Sequence, residues 1–400
     1  MLPVSSFFTK ILAYVTFFFL LIGAAFGGEK IDLSDLPVSA DASCAEEAYP
    51  QRYKKTLRSP ALGAFAKRVD GSRSQPIPGI RYTAVTVDGG GISLCDAMTA
   101  QGVCLAGEDG EYLLISAYCN DEALENSAYH KDIDGKHESV IYVLDAADET
   151  LLTTATVDSY SDSARANKTG APPHAGGIAY DGTHLWIAKT NGVLAVEFAQ
   201  LESLIQNGEK TGRVTCVAAK ETFVGADGEP VEEFCSDEAI SAFKLDARAS
   251  FVSVCSGLLL VGEYQTGGEA ALAAYRTEFA DGRLTMTEAF RAPLPLHAQG
   301  AYLLERNGRT YLFVTVSAGN VEPGTLFVYR LSVDGGEAKT GDPVALLALP
   351  NLCEDLDFRD GRLYICYESA ANVYYAWKKP ADRTVFPCDR ITAIDVDGLF

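Results

Sequence analysis

Residues 174–192 read HAGGIAYDGTHLWIAKTNG, which is a short apolar stretch, the dipeptide Asp181-Gly182 and a second apolar stretch. Asp-Gly is typical of a tight β-hairpin turn, because both residues tolerate the positive φ that such a turn requires. Four further segments repeat the pattern: AQGVCLAGEDGEYLLISAYCN at 100–120, SFVSVCSGLLLVGEYQTGG at 250–268, HAQGAYLLERNGRTYLFVTVSAGN at 297–320 and CEDLDFRDGRLYICYESAAN at 353–372. The sequence therefore predicts five related hairpins.

Each hairpin is followed by a third stretch rich in β-forming residues, such as SVIYVLDA from 139 or RITAIDV from 390. A fourth follows in four of the units, for example TLLTTATV from 150. The fifth unit ends without one, and we expect RYTAVTV at 81–87 to supply it by pairing with the last strand. Four antiparallel strands repeated five times predict an all-β protein, a five-bladed β-propeller over 81–400 closed by an N-terminal strand. The alternative architectures are a pair of β-sandwiches and an open solenoid.

The N-terminal residues predict export. Lys10 precedes the apolar run ILAYVTFFFLLIGAAF at 11–26, and small residues follow, so 1–27 is interpreted as a secretory signal peptide. The alternative is an uncleaved anchor, although a spanning helix needs about 20 apolar residues. Residues 28–80 are interpreted as a short N-terminal extension with one helix around 59–68, and we expect no transmembrane segment after signal removal. The predicted location is secreted or at the cell surface.

The amino-acid composition limits the classes of partner that we expect this chain to bind. The chain has 33 Lys and Arg against 54 Asp and Glu, a net charge of −21, which argues against binding to nucleic acid or to anionic lipid. Its 10 cysteines form an even set, which in an exported protein predicts disulfide bonds. We expect Cys216 to pair with Cys235 and Cys44 with Cys388. The sequence has no CxxC motif, which argues against a zinc knuckle or a thioredoxin-type site.

Several stretches resemble a family of exported bacterial β-propeller proteins for which no activity is established. They are YLLISAYCN, ESVIYVLDA, HAGGIAYDGTHLWIA, AQGAYLL, LYICYESAANVYY and KPADR, in chain order between residues 98 and 397. The resemblance implies a secreted propeller. Its Q-G, H-x-G-G and E-S-A-A elements stand here at Gln101-Gly102, at His174 to Gly177 and at Glu368 to Ala371. The additional cysteines and the excursion from Glu209 to Phe243 depart from that pattern.

Propeller geometry predicts where side chains converge, because first strands start, and second strands end, at the same mouth of the central channel. The candidate ligand-binding residues at these positions are Gln101, His174, Glu263, His297, Gln299, Glu354, Asp355 and Glu368. Three tyrosines near the mouth are candidates for stacking on sugar rings, although propeller tyrosines also pack between blades: Tyr118, Tyr264 and Tyr374.

Two kinds of chemistry are compatible with these residues. Glu354, Glu368 and Glu263 are candidate catalytic carboxylates for glycoside cleavage, which needs a pair of them, with His174 or His297 assisting. Calcium is a candidate cofactor, held by the oxygens of Glu354 and Asp355. The competing interpretation is structural, since polar residues at strand starts also hydrogen-bond the backbone of a neighbouring blade. No G-x-S-x-G nucleophile motif is present.

The sequence thus favours a secreted, monomeric β-propeller that binds an extracellular ligand, a small molecule, glycan or protein, at its channel mouth. The alternatives are a carbohydrate-active hydrolase or lyase that uses the carboxylates, and a structural module for protein interaction.

Overall fold

The computed structural model is dominated by β-strands. It describes residues 52–78, 84–88, 91–120, 126, 139–148, 150–158, 174–189, 192–216, 223–224, 230–231, 242–244, 249–280 and 283–399. The predicted signal peptide, Cys44 and Cys235 lie outside these residues. Within the described part of the chain, no helix has the length and hydrophobicity needed to cross a membrane.

All five predicted hairpins are present, each as an antiparallel strand pair. Their first strands are β4 (Met98–Ala106), β8 (Ile178–Tyr180), β15 (Phe251–Cys255), β19 (Ala298–Arg306) and β24 (Cys353–Arg359). Their second strands are β5 (Tyr112–Cys119), β9 (His184–Lys189), β16 (Leu258–Gly262), β20 (Arg309–Val316) and β25 (Arg362–Tyr367). The third strands are β6 (Val140–Asp145), β10 (Gly192–Glu197), β17 (Ala270–Ala280), β21 (Gly324–Asp334) and β26 (Arg390–Asp395).

Two of the four Asp-Gly and Asn-Gly dipeptides have positive φ at both residues, as the sequence predicts, whereas in Asp109-Gly110 and Asp181-Gly182 only the glycine does. Asn307 and Asp360 have φ of 52° and 51°, and the glycine after each is also positive. Positive φ at both central residues gives a turn whose twist matches that of the flanking strands. Ser256 adopts the same conformation with φ 50°, although serine is a weaker sequence signal for it.

The remaining strands complete the sheets. They are β1 (Val69–Pro76), β2 (Ala84–Asp88), β3 (Gly91–Cys95), β7 (Leu151–Asp158), β11 (Thr211–Thr215), β12 (Phe223–Val224), β13 (Pro230–Val231), β14 (Ala242–Lys244), β18 (Arg283–Leu294), β22 (Glu337–Thr340) and β23 (Ala345–Leu349). The sheet orders are β1-β26-β25-β24, β14-β10-β9-β8 and β11-β7-β6-β5-β4. The third and fourth hairpins share one sheet, β15-β16-β17-β18-β22-β21-β20-β19, in which β23 also pairs with β21.

The predicted closing strand is wrong. The last strand, β26, pairs with β1 in antiparallel register from Val69↔Ile394 to Pro76↔Arg390. Residues 84–88 instead form the separate hairpin β2–β3 with residues 91–95. The apolar alternation of 81–87 favoured it as the partner, whereas β1 is polar and lies inside the predicted extension. An N-terminal strand therefore does cover the edge of β26, but it comes from an earlier part of the chain.

Helices are short. The N-terminal segment forms α1 (Arg52–Thr56), a 3-10 turn (Pro60–Leu62) and α2 (Gly63–Ala66), close to the predicted helix around 59–68. Leu62 and Phe65 are fully buried in a core cluster that includes residues of β21 and β23. A third helix, α3 (Phe198–Gln206), was not predicted. It buries Phe198, Leu201 and Leu204 along one face.

The five hairpins are linked to one another. Ser116 donates to Gly176 O across the first and second hairpins, Ser253 donates to Ala301 O across the third and fourth, and Thr315 donates to Glu354 O across the fourth and fifth. Two further bonds complete the series. The N–H of Gly177 donates to Ser250 O, which joins the second and third hairpins, and the N–H of Leu105 donates to Asp357 Oδ2, which joins the first and fifth.

Glycines permit this close approach. A Cβ on Gly177 would lie 2.8 Å from Phe251 Cα, and a Cβ on Gly300 would lie 2.9 Å from Asp355 Cα. Such contacts with backbone atoms leave no room for any side chain. The glycines of the Q-G and H-x-G-G elements are thus explained by the packing of one first strand against the next.

No disulfide bond is present among the eight cysteines that the structure describes. Each predicted pair has one member outside the described residues, so the pairs Cys216–Cys235 and Cys44–Cys388 stay predictions. All eight described cysteines are buried.

Candidate functional site

Three β-bulges aim polar side chains away from the first strands. In β4 the register shifts between Ala100 and Gly102, which leaves Gln101 as the extra residue, and in β19 the same shift leaves Gln299. In β24 the shift lies between Cys353 and Leu356, around Glu354 and Asp355. A bulge redirects the side chain of its extra residue, so these three strand starts can present polar groups together.

These groups meet in one cavity of about 250 Å³, which we call the mouth pocket. All five hairpins contribute to its lining, which consists of Gln101, His174, Gly176, Ala188, Ala249, Ser250, Tyr264, Gln299, Glu354 and Glu368. The structure therefore brings five of the eight predicted ligand-binding residues together: Gln101, His174, Gln299, Glu354 and Glu368.

The other three predicted residues do not line the mouth pocket. Glu263 accepts a hydrogen bond from the Gln265 carboxamide at 3.2 Å, and His297 shares a 3.2 Å hydrogen bond with the hydroxyl of Tyr264. Asp355 is fully buried, and its Oδ2 accepts from the N–H groups of Ile178 at 2.9 Å and Val103 at 3.4 Å. Asp355 thus joins β24 to β8 and β4 through the hydrogen bonds that its Oδ2 accepts.

Glu368 lies at the centre of a hydrogen-bond network. Its Oε1 accepts from the Gln101 carboxamide and, at 3.4 Å, from the Tyr118 hydroxyl. The oxygen of the Gln101 carboxamide lies 3.3 Å from His174 Nε2, and the His174 ring lies 4.1 Å from the Tyr118 ring. Gln101 therefore couples a buried carboxyl to an exposed imidazole.

Glu354 lies on the same pocket wall and has a different partner. Its Oε1 accepts from the Gln299 carboxamide at 3.1 Å. Only 4% of Glu354 and 6% of Glu368 is exposed, so both carboxyls are removed from bulk water. The two glutamines thus occupy matching positions, each bonded to one glutamate.

Burial changes the acid–base properties of both carboxyls. It raises the pKa of Glu368 from 4.5 to about 7, although hydrogen bonds from Tyr374 and Tyr118 act in the opposite direction. Burial, the charge of Glu368 and the adjacent Asp355 together raise the pKa of Glu354 well above its ordinary value. Two neighbouring carboxyls of this kind hold a proton near neutral pH, so one can donate a proton while the other accepts one.

Burial and the charge of Glu368 also raise the pKa values of two tyrosines, Tyr118 and Tyr374. Burial and then Glu368 raise the pKa of Tyr118, whereas for Tyr374 the charge of Glu368 is the larger cause and burial the second. Both phenols therefore stay protonated and serve as donors. Sequence reasoning proposed these tyrosines for stacking on a ligand, and it missed that Tyr118 bonds directly to Glu368.

The side chains that could ligate a metal are not clustered among the described residues. No group of three or more His, Cys, Asp or Glu side chains among them is arranged to hold an ion. Calcium takes six to eight oxygen ligands. Oδ2 of Asp355 and Oε1 of Glu354 accept hydrogen bonds from N–H groups, whereas the buried Oδ1 of Asp355 has no hydrogen-bond partner among the described residues. Calcium at Glu354 and Asp355 stays a prediction.

A larger cavity of about 550 Å³ lies at the opposite ends of the first strands. Its lining includes Glu108, Asp181, Asp357 and Arg359. Glu108 and Asp181 are exposed, so water already solvates their charges. All five hairpins contribute to both cavities, and burial raises the pKa of Asp357 in the larger one to about 6. The mouth pocket is the better candidate because two buried glutamates meet in it, each bonded to a glutamine.

Comparison with known proteins gives a limited result. No protein-family model matches the chain, and the comparison with curated proteins gave no match. Among solved structures, the chain is similar to a glutaminyl cyclase of Myxococcus xanthus, with 8% sequence identity and a TM-score of 0.34. That match covers 80% of this chain and 95% of the cyclase chain.

Proposed function

We propose that this chain is a secreted five-bladed β-propeller that binds a small extracellular ligand, of the carbohydrate class, in the mouth pocket. The propeller assignment is supported by the five hairpins and by the hydrogen bonds that link neighbouring hairpins in series. Export is supported by the sequence of residues 1–27.

The observation that carries the proposal is the pairing of each buried glutamate with a glutamine. Carboxyl groups accept hydrogen bonds and carboxamides both donate and accept, so Gln101, Gln299, Glu354 and Glu368 match the alternating donors and acceptors of a sugar ring. Tyr264 adds an aromatic face to the same lining. A cavity of about 250 Å³ suits one sugar residue or the end of a glycan chain, with the remainder outside.

Glycan arrays followed by calorimetry test this proposal. We expect at least one glycan to bind the full chain, and we expect Gln101→Ala and Gln299→Ala each to weaken that binding tenfold or more. Gln200→Ala is the matched control, because it makes the same side-chain change on α3, outside the pocket lining. Absence of glycan binding, or equal binding by all variants, would contradict the proposal and favour a protein partner.

A second candidate function, a carbohydrate-active hydrolase or lyase, is favoured by the raised pKa values of Glu354 and Glu368. A glycosidase needs one carboxyl that is protonated near neutral pH and one that is ionised. We expect such an enzyme to release sugar from the bound glycan with a bell-shaped pH profile. Glu368→Gln would abolish release but retain binding, whereas Glu263→Gln would retain both. Binding without release in the wild-type chain would exclude this candidate for that glycan.

A further inference from the structure

Two cysteines of one core cluster meet at the end of β5. Cys95 ends β3, Cys119 ends β5, and their Sγ atoms lie 3.9 Å apart. Their exposed fractions are 0% and 3%, so both sulphurs are shielded from solvent. Other buried thiols have different partners: Cys255 contacts Ser253 and Leu303, Cys353 contacts Val316 O, and Cys388 contacts Arg390 O.

The backbone holds this pair in place. Met98, the first residue of β4, is paired with Cys119, and Asn120 N donates to Ala97 O at 3.0 Å. The segment from Cys95 to Met98 therefore lies directly beside the end of β5. A disulfide has an S–S length of about 2.05 Å, so the sulphurs need to approach by about 1.9 Å, which rotation of the two side chains can supply.

We propose that Cys95 and Cys119 form a disulfide bond that fixes the end of β5, next to Tyr118. The bond would fasten the strand end that carries Tyr118, the phenol that donates to Glu368. The same segment is held from the other side, because the Asn372 carboxamide donates to Asp96 O at 3.1 Å. The formation of the bond does not depend on which ligand the pocket binds.

The oxidation requires a partner that carries a disulfide, such as oxidised glutathione. One cysteine thiolate attacks that disulfide and releases one thiolate of the partner; the second cysteine thiolate then attacks the mixed disulfide and releases the other. Two electrons pass to the partner, and the two protons lost by the cysteines end on the released thiols. Burial raises the pKa of Cys95 well above its ordinary value, so we place this exchange during folding, before the thiols are shielded.

Peptide mapping tests the proposal. The full chain is refolded with oxidised and reduced glutathione, alkylated in denaturant without reduction, and digested after glutamate. Cleavage after Glu108 or Glu111 places Cys95 and Cys119 on different peptides, which stay joined only through a disulfide. We expect the joined peptide, two hydrogen atoms lighter than its separate parts, and we expect it to disappear on reduction.

Cys104 shares the first of these peptides with Cys95, so two variants identify the linked residue. The joined peptide should persist in Cys104→Ala and be absent from Cys95→Ala. Reduction should lower the thermal midpoint of the wild type and of Cys104→Ala by more than that of Cys95→Ala. Full alkylation of Cys95 and Cys119 in the oxidised wild type, or persistence of the link in Cys95→Ala, would overturn the proposal.

Discussion

The buried carboxyl of Glu368 should make the protein less stable at alkaline pH than at acidic pH. Its pKa is about 7 in the folded protein and has the ordinary value of 4.5 in the unfolded chain. The folded state therefore binds this proton more tightly. The resulting stabilisation is complete below pH 4.5 and is lost as the pH rises through about 7.

The size of this effect follows from the two pKa values. One unit of pKa corresponds to about 1.36 kcal/mol, so the rise from 4.5 to about 7 corresponds to about 3 kcal/mol of unfolding free energy. Glutamine at this position cannot ionise, yet its carbonyl oxygen can still accept from Gln101 and Tyr118. Glu368→Gln should therefore match the wild type near pH 4 and exceed it by about 3 kcal/mol near pH 8.

Urea unfolding at several pH values between 4 and 8 measures this difference. The control is Glu263→Gln, which removes a half-buried carboxyl outside the pocket lining and should leave the pH dependence of the wild type intact. Parallel curves for the wild type and Glu368→Gln would refute the reasoning, because they would mean that Glu368 titrates alike in the folded and unfolded states.

Three further predictions concern the fold. Gly177→Ala should lower the unfolding free energy by about 1–3 kcal/mol in urea titrations, because its Cβ would meet Phe251 Cα at 2.8 Å. Gly267→Ala, where a Cβ meets nothing within 4 Å, should change it by less than about 0.5 kcal/mol. Leu201→Ala should lower the unfolding free energy by about 2–5 kcal/mol in the same measurement, because Leu201 is fully buried on the inner face of α3. A chain that begins at Gly79 lacks β1 and should be recovered mainly as aggregate on size-exclusion chromatography, whereas one that begins at Arg52 should stay soluble, because only the first leaves the edge of β26 unpaired.

The hairpins and the pocket could be predicted because their signals are local. Asp-Gly and Asn-Gly turns fix where each hairpin reverses, and the residue before each Q-G glycine falls at the start of a first strand. Gln101 and Gln299 could therefore be assigned to one mouth from position alone. The sequence did not reveal the bulges that aim them, because a bulge is defined by its register with the neighbouring strand.

The closing strand could not be predicted because its pairing depends on the rest of the fold. VDGSRSQP has few β-forming residues, and residues 84–88, AVTVD, have more. The first pairs with β26 nevertheless, since α1 and α2 are packed into the core beside that sheet and deliver the chain to its edge. Asp355 illustrates the same limit: it is adjacent to Glu354 in sequence, but its Oδ2 accepts from the backbone of two other strands.

The pairing of β1 with β26 also bears on how the protein is made. Val69 and Ile394 are paired although the whole series of hairpins separates them along the chain. The ribosome makes Ile394 long after Val69, so β1 must wait, without its partner, while the residues between them are synthesised. Contacts between such distant residues form slowly, because closing a long loop restricts much of the chain. The polar sequence of β1 suits this delay, since an unpaired strand with few apolar side chains is a poor template for association with other chains.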